Sequence, residues 1–349
     1  MFAPDSTHSL GLHPRLRNRP ELPWIPSAAT RAVVQGTLRS GTARTGISIL
    51  ALFTLAAMFA PLLTTHDPSE LVPARRLLAP SSTHWLGTDD LGRDVFARLM
   101  YGARNSLVIA GAVSALSVLF GTIVGLATTT HRALDATLMR ATDGMMAFPS
   151  ILIGIVIVVR LGPETRNVVL ALTLAYTPVV ARLVRTTAVV VRAWPHVEAA
   201  RAVGASEVRI LSRHVLPNAL SPLLAHWSFI GGLAALSEAS LSFLGTGVGS
   251  EGATWGALLR DGQNFIASAW WIAVPAGLAL TATVLACTLV GDGLRDALDP
   301  RTRRSRTPSK GRQDHTSPRS AGRTSLPSTS IAWGGSGPRG GPKDTCCAP

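Results

Sequence analysis

The chain has 349 residues, 47% hydrophobic and only 15% charged, with 33 Lys+Arg against 20 Asp+Glu and a formal net charge of +13. Residues 46–300 hold 17 Arg and 16 acids, so the excess charge belongs to the two ends and argues against a nucleic-acid surface on the body. The only lysines, Lys310 and Lys343, lie in the tail, which excludes a G-x-x-x-x-G-K-[ST] phosphate loop and a Schiff-base lysine from the body.

In chain order, residues 1–45 form a basic N-terminal arm. A bilayer core about 30 Å thick is crossed by about 20 apolar helical residues. Uncharged or nearly uncharged runs at 46–65, 106–130, 144–159, 167–191, 214–237 and 262–291 predict six spans in an all-α membrane protein over residues 46–300. Pro149, Pro178, Pro222 and Pro275 fall inside these runs, which a membrane tolerates because neighbouring groups satisfy the freed backbone. Residues 301–349, rich in Ser, Gly, Pro and Arg, predict a disordered basic tail, with Arg301, Arg303, Arg304 and Arg306 next to the last span. That cluster reads as a topology signal, or as a contact to anionic membrane lipid.

With both ends cytoplasmic, the inside segments hold 25 positive residues and the outside segments 8. The outside segment 66–105, with five Arg, fits this arrangement least well. Trp85, Trp255, Trp270 and Trp271 are expected near the outer interface and Trp194 near the inner one. No metal set and no nucleophile–base pair emerges. Asp89, Asp90 and Asp94 lack the spacing of a calcium loop, and Thr88 or Asp89 capping a helix near paired Arg93 and Arg98 accounts for them. Cys287, Cys346 and Cys347 are too few for a disulfide framework, and no C-x-x-C or H-E-x-x-H occurs.

The segment 194–217 is the most informative. Pro195 can open a helix, Glu198 suits its first turn, and Ala199, Ala200 and Ala202 leave a face of little bulk. Gly204 allows a turn, Ser206 can cap a second helix, and Pro217 marks the start of span five. An ordinary surface helix-turn-helix is the other reading of the same residues. Glu238, near the far end of span five, is either a candidate pathway residue or a brace between helices. His226 reads as a packing residue, and Asp292, Arg295 and Asp299 as an i, i+3, i+7 brace.

Glu198-Ala199-Ala200, then Gly204, then Leu216-Pro217 resembles the EAA loop of ABC-transporter permease subunits. His214 within Arg213-His214-Val215-Leu216-Pro217-Asn218 is similar to the dipeptide, oligopeptide and nickel branch. The segment from Leu86-Gly87-Thr88-Asp89 to Arg93-Asp94, Asp135 through Asp143 to Ala147-Phe148-Pro149-Ser150, Glu238 to Gly245, and Gly291-Asp292 to Asp299-Pro300 extend the resemblance over about residues 40–300. The resemblance implies the transmembrane domain of a type I ABC importer, with Glu198, Ala199, Ala200, Gly204, Leu216 and Pro217 coupling it to a separate cytoplasmic ATPase. It further implies a second permease subunit, an extracytoplasmic substrate-binding protein, no directly bound cofactor, and ATP used by the partner. Peptides are the implied substrate, with nickel or another small solute as the alternative. A secondary transporter is disfavoured because one Glu in a span and no clear repeat do not make a coupled-ion pathway.

Overall fold

The structure is a computed structural model that describes residues 40–248 and 252–298 together with Thr37. Most of the 1–45 arm, the 301–349 tail, Asp299 and Pro300 lie outside the described residues.

The described chain is helical. Its main elements are α1 (Gly41–Met58), α2 (Val95–Ala127), α3 (Arg132–Met146), α4 (Ser150–Leu161), α5 (Thr165–Arg192), α6 (Pro195–Ala202), α7 (Leu216–Phe243), α8 (Trp255–Gly262) and α9 (Val274–Leu298). Extended pairing among the described residues is a single isolated bridge, Thr88 with Asp94. Helices α1, α2, α5 and α9, and the continuous run Glu207–Phe243, are long and apolar enough to cross a membrane.

The expected third span differs. α3 and α4 meet at an 89° bend and qualify as a span only when taken together. α4 has 12 residues, about 18 Å of helix at 1.5 Å per residue. The cause is Pro149, which caps α4 at its N-terminus with an extended backbone instead of lying inside a helix. Pro178 and Pro222 do sit inside helices, and Pro275 falls in the first turn of α9.

The expected span 106–130 also begins earlier than hydropathy suggests. α2 starts at Val95 because Asp94 caps it, its Oδ1 accepting from Ala97 N at 2.7 Å. Similarly, the uncharged run 262–291 is one helix only from Val274, because a 3-10 turn (Gln263–Phe265) and tight turns occupy the stretch before it.

The core is assembled from close helix pairs. α2 approaches α5 at Gly121 and Gly125, four residues apart on one face. A Cβ on Gly125 would lie 2.6 Å from the Ala181 carbonyl oxygen and 2.8 Å from Val184 Cβ, so only glycine permits this approach. Away from this seam Leu52, Leu55, Val108, Ile123, Val156 and Leu278 are exposed, the surface an apolar solvent would cover. Two tryptophans expected at the interface are core residues instead. Trp255 is 0% exposed and donates from Nε1 to Leu99 O at 3.3 Å, and Trp271 donates to Thr88 O at 3.3 Å. Once their N–H groups are bonded internally, burial of the rings carries no polar penalty. Trp85 and Trp270 remain exposed.

Candidate functional site

At one end of the bundle, α5 passes through Ala193 and Trp194 into α6. Pro195 occupies the first turn of α6, where its missing N–H costs nothing, and Glu198 lies in the same turn. Gly204 then adopts φ +85°, a left-handed conformation that reverses the chain at little steric cost only for glycine. Ser206 caps the next turn of helix, its Oγ accepting from Arg209 N at 3.4 Å. The expected helix-turn-helix is therefore present.

Its inward face is apolar. Val197, Ile210 and Val215 pack with Ala188 and Val191 of α5 into a small core separate from the main one. Glu207 clamps the turn, at 2.8 Å from Arg192 and 3.4 Å from Arg201. The outward face carries Glu198, Ala199 and Gly204, all exposed, flanked by Val203 at 85% and Val208 at 76% exposure. Ala200 is half-buried beneath them, as are Leu216 and Pro217.

Pro217 does not open a new helix. It continues the run from Glu207 through a π-helical segment, Leu211–Val215, directly before α7. A wide π turn accommodates a proline that would crowd the preceding turn of an α-helix. Asn218 Nδ2 donates to His214 O at 2.6 Å in the same place. The proline was readable as a boundary; the π segment had no sequence signal beyond it.

α3 is tied to α5 near this end by Asp135, which accepts from Arg185 Nε at 2.5 Å and Nη2 at 2.7 Å, and by an Asp143–Arg182 ion pair. A cavity of about 700 Å³ opens between α5, α7 and α9, lined by Ser221, His226, Thr288, Asp292 and Arg295 among others. The expected brace at Asp292 and Arg295 is absent from the ion pairs formed among the described residues, and Asp299 lies outside them. Both side chains line the cavity instead, because successive turns of α9 present them to the gap against α7. His226 Nε2, read from the sequence as a satisfied packing group, is buried without a hydrogen-bond partner among the described residues.

The opposite end holds a dense polar network. Asp89 accepts from the backbone N–H of Leu91 and Arg93 at 2.9 Å each, and from Arg93 Nε and Arg98 Nη1 at 2.6 Å each. Asp261 completes the square, at 3.0 Å from Arg93 Nη2 and 2.9 Å from Arg98 Nη2. Arg93 and Arg98 are thus paired as expected, but Asp94 rather than Thr88 or Asp89 caps α2. Thr88 Oγ1 instead accepts from Leu78 N at 2.8 Å and donates to Arg75 O. Asp261 was missed; the signal was an acid beside Arg260 in a segment otherwise poor in charge. Asp90, next to Asp89, titrates above its ordinary value because burial and then the Asp89 and Asp261 charges oppose its ionisation.

Glu238 of α7 is 0% exposed and lies against α2 and α8. Its Oε2 accepts from Ser106 Oγ at 2.9 Å and its Oε1 from Ser242 Oγ at 2.7 Å. Ser106 Oγ also accepts from Trp255 N at 3.4 Å, and Asn105 Nδ2 donates to Ala253 O at 2.8 Å, so α2, α7 and α8 are joined around one carboxylate.

Comparison with known proteins agrees with this architecture. The pattern of the family described as binding-protein-dependent transport system inner membrane component matches residues 117–304. A Brucella suis protein, provisionally named a peptide transport system permease, is 43% identical over 280 residues, 80% of this chain and 95% of that protein. The dipeptide transport system permease protein DppC of Alkalihalophilus pseudofirmus is 39% identical over 283 residues, 81% of this chain and 93% of that protein. A chain of the MetNI methionine ABC transporter in an inward-facing conformation shares the fold at 18% identity and a TM-score of 0.50, covering 58% of this chain and 96% of that one. With its apolar helices, its helix-turn-helix and close relatives over most of its length, this chain belongs to the family of inner-membrane components of binding-protein-dependent transport systems, and is a transport permease subunit rather than an enzyme.

Proposed function

We propose that this chain forms part of the transmembrane pathway of a peptide importer, and that a separate cytoplasmic ATPase drives it through the 194–217 loop. One observation carries the proposal: Ala199, Val203, Gly204 and Val208 stand exposed on a helix-turn-helix that has its own buried core. Solvated valines gain nothing alone; a partner cleft that covered them would recover about 25 cal/mol per Å² of apolar area. Glu198, Ala199, Ala200 and Gly204 are the contact set, and Leu216 and Pro217 connect it to α7. ATP is hydrolysed on the partner, and this chain binds no nucleotide of its own.

The orientation follows from charge. Both termini are cytoplasmic, and the outside segment with five Arg fits once Arg93 and Arg98 are neutralised by Asp89 and Asp261. A second, similar permease subunit encloses the pathway in a heterodimer within the membrane lipid, and an extracytoplasmic binding protein delivers substrate. The peptide reading rests on the relatives named for peptide and dipeptide transport. The cavity beside α9 supports it by offering an Asp and an Arg to a molecule with both an ammonium and a carboxylate. Glu238, enclosed and doubly hydrogen-bonded, acts as a brace and not as a pathway residue.

The test uses the assembled transporter. Gly204→Val is expected to abolish co-purification of the ATPase and uptake of a labelled dipeptide while leaving the chain at normal levels in the membrane; Glu198→Ala weakens both. Unchanged docking and transport in both variants overturns the role of the loop. Uptake that excess Ni²⁺ suppresses and unlabelled dipeptide does not overturns the substrate class.

A further inference from the structure

Three side chains at the far end from the loop, outside the Asp89–Asp261 network, converge on one point. His66 follows the short helical turn Ala60–Leu63 that closes the first span, His84 lies on the turn before the second, and Asp94 caps α2. Each offers one ligand atom, and the three atoms lie within 4.8 Å of one another. The imidazole rings of His66 and His84 are 4.9 Å apart between centroids, and His84 Nδ1 is 2.8 Å from Asp94 Oδ2.

We propose that His66, His84 and Asp94 form a site for a zinc-like divalent cation. Two imidazoles and a carboxylate are borderline donors, the set that suits Zn²⁺ rather than Mg²⁺ or Ca²⁺. The supporting contacts are already in place. Asp94 Oδ1 is held by Ala97 N at 2.7 Å, which leaves Oδ2 facing His84. The His84 turn is fixed by Ser81, whose Oγ accepts from His84 N at 3.1 Å and whose N–H donates to His84 O at 2.8 Å. His84 and Asp94 are each 6% exposed, whereas His66 is half-buried and, besides its ring contact with His84, makes a long 3.4 Å contact to Thr65 Oγ1.

A metal about 2.0–2.1 Å from each donor needs donors about 3.3 Å apart, so the outermost must move inward by roughly 1.5 Å. His66, the most exposed of the three and held by the weakest hydrogen bond, is the one to make that movement. With the metal on Nδ1, neutral His84 carries its proton on Nε2, and the bond that the metal replaces is the one to Asp94. Three protein ligands leave a fourth position for water. The bound cation would staple the end of the first span to the start of the second. This inference does not depend on the transported substrate, since the site lies far from the loop and the cavity beside α9.

The full-length chain, purified in nanodiscs without a histidine tag, is titrated with Co²⁺ and then Zn²⁺. The expected result is the intense visible absorption of four-coordinate Co²⁺, erased by Zn²⁺, and a Zn²⁺-dependent rise in melting temperature. His66→Ala should abolish the bands and lower Zn²⁺ affinity by more than the about 10–100-fold that changes outside the ligand set cost, while its melting temperature without metal stays that of the parent. His66→Gln serves the same purpose should the alanine variant fail to fold. Absence of the bands in the parent chain, or bands of equal intensity in the His66 variants, overturns the proposal.

Discussion

At the far end, Asp89, Asp261, Arg93 and Arg98 satisfy one another inside the chain, whereas at the loop end Glu198, Val203 and Val208 face outward from a helix-turn-helix whose two helices are only eight and four residues long. Both ends are built from turns between spans, and both use a proline or a cap to start a helix. They differ in what is left over. Buried charges must be paired within the fold to be tolerated, so the far end is closed on itself. A surface that keeps apolar side chains in water while resting on its own core is instead prepared for something outside the chain.

The largest way to break this contrast is at the far end. Replacing Arg98 by Ala leaves Asp89 and Asp261 short of a partner in a buried site, a loss expected to cost about 3–5 kcal/mol. Denaturant unfolding in detergent, followed by tryptophan fluorescence, measures it; a change below about 1 kcal/mol would show that solvent reaches the network. Next comes Glu238→Ala, which strands the Ser106 and Ser242 hydroxyls and is expected to cost about 1–3 kcal/mol. Glu238→Gln keeps an acceptor in place, so its loss should be smaller and transport should survive; loss of transport in a fully stable Glu238→Gln protein would return this residue to the pathway.

The smallest effect sharpens the comparison by pH. Asp90 is the misfit of the far end, its Oδ1 buried with no hydrogen-bond partner among the described residues. Because its folded pKa is raised, the stabilising form is the protonated one, and stability falls as pH rises through the carboxylate range. Asp90→Asn should therefore raise the melting temperature above that range, with the gain vanishing in acid where both states carry the proton. A gain independent of pH would trace the effect to packing rather than charge.

Much of the loop end was legible. Pro195, Gly204 and Ser206 impose local backbone states, and local states survive whatever the rest of the chain does. The helical class and most spans were legible for the same reason, since twenty apolar residues are a local property. What hydropathy could not locate were features made by distant partners. Arg98 lies inside α2 because Asp89 and Asp261 neutralise it, 163 residues of sequence separating the second acid from the arginine. Trp271 is in the core because the Thr88 carbonyl, 183 residues away, accepts its N–H. The cluster of His66, His84 and Asp94 exists only once two spans and their connecting turns are folded. Each of these required a contact map, and no window along the chain contains one.

The glycine seam between α2 and α5 has a mechanical meaning. Where Gly121 meets Val180 and the Thr177 carbonyl, and Gly125 meets Val184 and the Ala181 carbonyl, glycine backbone lies against carbonyls and stiff β-branched side chains, with few rotamers available to absorb a displacement. α5 runs straight into the helix that carries Glu198, with only Ala193 and Trp194 between. Under the proposed coupling, a push received there would not be dissipated by side chains reorienting at the seam. It would move two helices as a single stiff beam, and with them the far end, where Arg98 of α2 is paired to Asp89 and Asp261.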